Sequence, residues 1–311
     1  MYDKTKIVGY SVEDFTRLGN NPNIEKAKEE YNKETGEFTG IKGRLRNLDI
    51  KVKPHFIEIE GSLSKFKNGE NITPFTLLNT KEVITEIGDL LCIDMANTYP
   101  TEMEFGANII TSNEVANYLQ CLGERPYYIK SGFSNNTVYY TNDAEQYKCS
   151  LKFYDKTKQA LKVGMNIPEA FKNKNILRIE ARKKGRLAYQ TGAGQRLTTE
   201  MLYNPQFYYS QKQQLIKDYQ TIKKYQDMEI DYTCFRKPSD CKEVLFTYLV
   251  KLNPSIVAQF MENVKAAGVY DRQQMRRAKE GIVNVCKNGI ILSNDLIQEL
   301  DNKIVAIMDY D

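Results

Sequence analysis

Residues 175–184 read NILRIEARKK, and residues 149–156 read CSLKFYDK. In an extended chain alternate residues share a face. Leu177, Ile179 and Ala181 therefore form an apolar face, and Arg178, Glu180 and Arg182 oppose it. The second stretch obeys the same rule, with Leu151 and Phe153 on one side and Lys152, Tyr154 and Lys156 on the other. Upstream, FIEIEG (56–61) sets Ile57 and Ile59 against Phe56, Glu58 and Glu60. LLCIDMA (90–96) sets Leu91, Ile93 and Met95 against Cys92, Asp94 and Ala96. Four such stretches predict a sheet with one apolar face and ionisable residues at mid-strand on the other.

Working outward, the first two-thirds of the chain mix strand and helix, and the last third is nearly all helix. KTKIVGY (4–10) predicts an opening strand, NPNIEKAKEEYNKE (21–34) a charged helix, and RLRNLDIKVKP (44–54) a further strand region. KEVITEIGDLLCIDM (81–95) reads as a helix running into a strand, and NEVANYLQCLG (113–123) as a short amphipathic helix. YYIKSGFSNNTVYYTN (127–142) is hairpin-like, with Asn135 and Asn136 at the turn. After the glycine-bearing TGAGQ (191–195), QKQQLIKDYQTIKKYQDMEI (211–230) and SIVAQFMENVKAAG (255–268) are long helical patterns. VKAAGVYDRQQMRRAKEGI (264–282) fits a helix-turn-helix with Gly268 in the turn, or a plain helical segment. The change of pattern divides the chain into residues 1–195 and a helical region, 196–311. The class is α+β.

Composition narrows the chemistry. Among 311 residues there is one histidine, His55, so no site needing two imidazoles can form within one chain. The six cysteines include no C-x-x-C pair and read as thiols in a reducing compartment. A formal charge of +4 is too small to imply nucleic acid by itself. The start has no apolar signal core and no run is long enough to span a membrane, so the expectation is a cytoplasmic protein.

If the four strands pair in one sheet, Glu58, Asp94, Glu180 and Tyr154 converge on its polar face. Carboxylates brought together repel unless a cation lies among them. Oxygen ligation without His or Cys suits Mg²⁺ or Mn²⁺. Such an ion polarises a phosphoryl oxygen, and with a lysine it favours the phenolate of a neighbouring tyrosine. The plain alternative is a solvated strand face. Basic charge gathers here too: between Lys148 and Arg186, Lys and Arg far outnumber the acids Asp155, Glu169 and Glu180. Tyr127, Tyr128, Phe133, Tyr139, Tyr140 and Tyr147 are interleaved nearby. Basic residues with aromatics suit single-stranded nucleic acid.

These motifs resemble a known family. IEIEGSLSKFKNGEN (57–71) looks like the filamentous-phage gene II-type replication initiators, with a strand, then S-x-x-K, an apolar residue and G-x-N. Cys92-Ile93-Asp94, Phe153-Tyr154-Asp155-Lys156 and Leu177-Arg178-Ile179-Glu180-Ala181-Arg182 match the family's later strands in order, over roughly residues 40–185. Plasmid rolling-circle initiators share this skeleton. The resemblance implies an HUH-endonuclease-like central antiparallel sheet flanked by helices, in a nicking domain of residues 1–195. It implies Tyr154 as the nucleophile that nicks an origin strand and becomes linked to its 5′-phosphate, with Lys156 assisting. Glu58, Asp94 and Glu180 take the metal positions, with Mg²⁺ or Mn²⁺ as the ion. Lys65, Lys152, Arg178, Arg182, Lys183 and Lys184 are the expected DNA contacts, and a host helicase and polymerase the further partners. The His–hydrophobic–His metal strand of most HUH enzymes cannot be supplied, since Glu58-Ile59-Glu60 stands there. Residues 196–311 then serve DNA binding or partner contact. Two other functions fit the same residues: an origin-binding protein of this fold without catalysis, and a metal nuclease that activates water.

Overall fold

The structure is a computed structural model that describes residues 1–10, 15–134, 136–144, 147–224, 228–230, 237–252, 254–288, 291–293 and 296–309. Asn135 of the expected turn and residues 225–227 of the first long helical pattern lie outside the described residues.

Ten strands form one sheet: β1 (Tyr2–Tyr10), β2 (Glu25–Tyr31), β3 (Phe38–Leu45), β4 (Leu48–Lys53), β5 (Phe56–Ser62), β6 (Thr98–Thr111), β7 (Ile129–Ser134), β8 (Thr137–Ala144), β9 (Tyr147–Asp155) and β10 (Asn175–Lys184). Their spatial order is β2-β3-β4-β5-β1-β6-β10-β9-β8-β7. Every neighbouring pair is antiparallel. The order contains a duplication that the sequence does not announce. β1 is followed by a four-stranded meander whose last strand returns to pair with it, and β6 repeats this with β7–β10. The two halves join through the β1/β6 pair.

Helices fill the connections: α1 (Phe15–Gly19), α2 (Leu63–Asn68), α3 (Leu77–Leu91), α4 (Val115–Gln120), α5 (Lys156–Lys162), α6 (Leu187–Thr191) and α7 (Pro205–Gln220). The chain is α+β, with a large antiparallel sheet and flanking helices. Strand parity places the core: Ile7 faces Ile59, Ile59 faces Ile50, and Ile179 faces Phe153, and all are buried. From α7, the Tyr219 ring packs 6.2 Å from Phe153, and Tyr208 meets Tyr2 and Phe105 at 5.7 and 5.3 Å.

Three expectations of secondary structure are corrected. The helix expected over 211–230 ends at Gln220, and Met228–Ile230 is a strand. NPNIEKAKEEYNKE holds strand β2, not a helix. Its local helix propensity yields to pairing with β3, and alternating Lys and Glu suits a sheet edge, where charge discourages pairing with another chain. The strand expected to end at Met95 does not form. Helix α3 stops at a left-handed Cys92, and Asp94 caps a short 3-10 turn, Met95–Asn97. The strand of that region is β6, which starts at Thr98.

The chain divides into two compact units. The first is Met1–Lys223 with Glu299–Asp311, and the second is Lys224–Gln298. The first thus runs past residue 195, takes in α7, and takes back the end of the chain. In the second, β11 (Met228–Ile230) pairs with β12 (Ile291–Ser293) around α8 (Pro238–Leu252), α9 (Pro254–Ala266) and α10 (Arg272–Asn288). The last helix, α11 (Leu296–Val305), contributes Glu299 onward to the first unit. No helix among the described residues is long and apolar enough to cross a membrane.

Candidate active site

Tyr154 sits one residue from the end of β9, directly opposite Arg178 of β10. Both side chains leave the sheet on its polar face, yet Tyr154 is buried and Arg178 is wholly so. The phenol Oη donates to Glu180 Oε1 at 2.9 Å. The same oxygen accepts from Arg178 Nε at 2.6 Å. Arg178 Nη2 reaches Asp3 Oδ2 at 2.8 Å, and Nη1 donates to the Asn71 carbonyl at 2.8 Å and to Asn108 Oδ1 at 3.0 Å. One guanidinium therefore ties β10, β6, β1 and the segment after α2.

Local sequence explains how these groups arrive. Asp155 caps α5 by accepting from the Lys158 amide at 2.9 Å. The chain thus turns into a helix right after Tyr154, and Lys156 becomes its first residue. Lys156 Nζ then donates to Asn71 Oδ1 at 2.6 Å and Gln159 Oε1 at 2.9 Å. Asn71 is set by the stretch that carried the family resemblance. Ser62 caps α2, Gly69 closes it in the left-handed region, and the Glu70 carboxylate accepts from the amides of Ile72 and Thr73. Asn71 Nδ2 then donates to Asp3 Oδ2 at 2.6 Å, and Ser62 Oγ donates to Asp3 Oδ1. A register shift in β1 between Tyr2 and Thr5 marks an irregularity at Asp3.

Carboxylate oxygens of Asp3, Glu104 and Glu180 lie within 4.8 Å of one another. Burial works against the Asp3 carboxylate, but Arg178, Ser62 and Asn71 hold its pKa below the usual range. Glu104 is pushed up to about 7, by burial first and then by the charges of Glu180 and Asp3. That crowding, with oxygen as the only donor type, fits a hard divalent cation. Burial lowers Lys156 to about 8, with help from Arg178. Burial also raises Tyr154 well above a free phenol, with Arg178 opposing and Glu180 adding to the rise.

The expected site residues separate into two groups. Tyr154, Lys156 and Glu180 are brought together. Glu58 and Asp94 do not join them. Glu58 pairs with Lys6 at 3.0 Å and lies four residues along β5 from Ser62, a span of roughly 13 Å at strand rise. Asp94 bonds the Ala96 amide and the Asn97 side chain just ahead of Thr98, which pairs with Gly9. Gly9 is six residues along β1 from Asp3, roughly 20 Å, too far to share an ion with Glu180. Asp3 and Glu104, in place of Glu58 and Asp94, are the carboxylates that lie beside Glu180.

The expected DNA-contacting cations separate likewise. Lys152 Nζ lies over the Tyr154 and Tyr139 rings, 4.1 and 5.4 Å from their centroids, and the charge of Lys65 reaches Lys156. Arg182 and Lys184 are exposed beside buried Glu102, at 2.7 and 3.7 Å. Arg178 and Lys183 cannot contact a strand in this form. Arg178 is sealed among its acids, and Lys183 is buried on the opposite face against Gln211 at 2.9 Å.

The four stretches read in the sequence do not include Asp3, Asn71 or Glu104, although EMEFGANI (102–109) alternates in the same way and sets Glu104 opposite Met103 and Phe105. Asn71 stands inside the stretch that resembles the family.

A family model described as the N-terminal part of a replication-associated protein, the gene II product type, matches residues 2–206. No curated protein matches the chain. Among solved structures, the di-domain ARO/CYC BexL from the BE-7585A biosynthetic pathway is similar at a TM-score of 0.25 and 7% identity, covering 70% of this chain and 96% of that one. The family match takes in all ten strands of the sheet, and the chain belongs to the gene II-type replication-associated proteins.

Proposed function

We propose that this replication-associated protein starts rolling-circle replication by cutting and rejoining one DNA strand through Tyr154. The observation that carries the reading is the Tyr154 phenol bonded to Glu180 within a cluster of three carboxylates. Tyr154 Oη attacks the scissile phosphorus, and its proton passes to Glu180. An O–P bond forms to the 5′-phosphate as the bond to the 3′ oxygen breaks. Lys156, lowered to about 8, supplies the proton that leaves a 3′-hydroxyl. Asp3, Glu104 and Glu180 would hold Mg²⁺ or Mn²⁺, which supplies Lewis-acid polarisation of the phosphate. Because the phosphotyrosyl bond preserves the energy of the one broken, the reverse attack by a 3′-hydroxyl rejoins the strand. Lys152, Lys65, Arg182 and Lys184 would hold the strand near the tyrosine, and a host helicase and polymerase would extend the primer.

A labelled single-stranded oligonucleotide covering the replication origin, incubated with Mn²⁺, tests this. The expected product is a covalent protein–DNA adduct that disappears in Tyr154→Phe. Cleavage that persists in Tyr154→Phe without an adduct would instead make the enzyme a water-activating nuclease.

A further inference from the structure

The second unit lies outside the matched residues 2–206. We infer that it is a duplex-DNA reader, with the outward face of α10 as the element that enters the major groove. Pairing of β11 with β12 brings the two ends of the unit together, so it is an insertion closed on itself between α7 and α11. Inside it, α10 packs on both α8 and α9. Helix α9 ends at Ala266, Gly268 takes a left-handed φ of 64°, and α10 begins at Arg272. The entry to α10 is fixed by reciprocal bonds. The Gln274 amide donates to Asp271 Oδ1 at 2.8 Å, and the Asp271 amide donates to Gln274 Oε1 at 2.9 Å.

The helix has two sides. Met275, Ala278 and Ile282, spaced at helical intervals, are half-buried. Arg272, Gln273, Arg276, Arg277 and Lys279 are exposed, with Glu280 the acid among them. Glu280 holds Arg276 at 2.8 Å, which leaves the face with a clear positive excess.

Three features choose duplex DNA over other polyanions. A membrane-bound amphipathic helix inserts its apolar side into lipid, but the half-buried side of α10 belongs to a helix packed on α8 and α9. Single strands are held by stacking on aromatic rings, and the outward face of α10 carries none. Arginine and glutamine are the side chains whose paired bonds match guanine and adenine edges in the major groove, which is wide enough for one helix. The acidic phosphates flanking that groove complement the remaining charge.

The test uses the full chain and a randomised duplex oligonucleotide library, with selection at moderate salt. Enrichment of one duplex sequence is expected. Arg276→Ala/Arg277→Ala should weaken its binding by on the order of tenfold or more, with an unchanged circular dichroism spectrum. Arg276→Lys/Arg277→Lys should keep salt-sensitive binding to any duplex while losing the preference. No enrichment, equal binding by the alanine variant, or a loss confined to single-stranded DNA would overturn the inference. Adduct formation at Tyr154 is a separate readout that these variants leave in place, so duplex reading and strand nicking can fail independently.

Discussion

Arg178 is the residue on which the site's electrostatics turn. Wholly buried, it bonds Asp3 and Glu180 at once, and its pKa is raised further by those acids against the cost of burial. It therefore stays charged and neutralises part of the carboxylate cluster before any ion arrives. Arg178→Met keeps an unbranched side chain as far as the position of Nε and removes the charged guanidinium. Leaving two buried carboxylates unpaired costs about 3–5 kcal/mol, which urea unfolding would read. A divalent cation binding only the native state offsets such a loss, so millimolar Mn²⁺ should stabilise the variant more than the parent. Equal responses to Mn²⁺ would show that the arginine and the cation do not share this role.

Among the elements, those with a long, unbroken alternation of polar and apolar residues are the most legible in the sequence, and those whose run is interrupted by Pro, Gly or an irregularity are the least. Strands β9 and β10 follow the period-two reading from Leu151 to Tyr154 and from Leu177 to Arg182, so parity alone puts Tyr154 and Glu180 on one face. Strand β6, which supplies Glu104, carries the same signal over a shorter run that flanking Pro100 and internal Gly106 mask. It lies between β1 and β10, and in EMEFGANI (102–109) Met103, Phe105, Ala107 and Ile109 alternate with Glu102, Glu104, Gly106 and Asn108. Pro100 and Gly106 read as breakers, although Gly106 is there because a Cβ would lie 2.3 Å from the Ile179 carbonyl. Asp3 escapes because the irregularity in β1 upsets simple parity. Helix α11 shows the same limit at longer range, since its anchor joins residues far apart in sequence. Glu299 accepts from the Ser112 amide and hydroxyl at 2.8 and 2.9 Å, from the Tyr118 hydroxyl, and from Lys303 at 2.5 Å. Burial opposes the charge, but these donors bring its carboxyl down to about 2. A carboxyl depressed on folding stabilises the protein above its unfolded pKa, about 4.3. That stability is lost as pH falls through the folded value. Glu299→Gln should therefore be less stable than the parent at pH 7, and the gap should close between about pH 5 and 2. A gap in urea midpoints that does not change over this range would remove the ion from the anchor.

For the whole molecule, the two-unit division matters more than the change of composition near residue 195. The chain leaves the first unit after Lys223, completes a separate fold, and returns at Glu299 to dock α11. Because Met228 and Ser293 are paired across β11 and β12, their Cα atoms stand about 5 Å apart. The excursion can thus be removed with a short Gly-Ser link in place of residues 229–292. Every group of the Tyr154 cluster lies within the first unit, as do Glu299 and its partners. The shortened chain should therefore keep a cooperative unfolding transition and form the tyrosine adduct on a single-stranded oligonucleotide at a rate within about twofold of the parent. Its affinity for the selected duplex should fall to the level of random duplex, a loss of at least about a thousandfold for a specific reader. If the adduct vanished while the fold survived, the second unit would have to act in the chemistry itself, and the division of labour between the two units would be wrong.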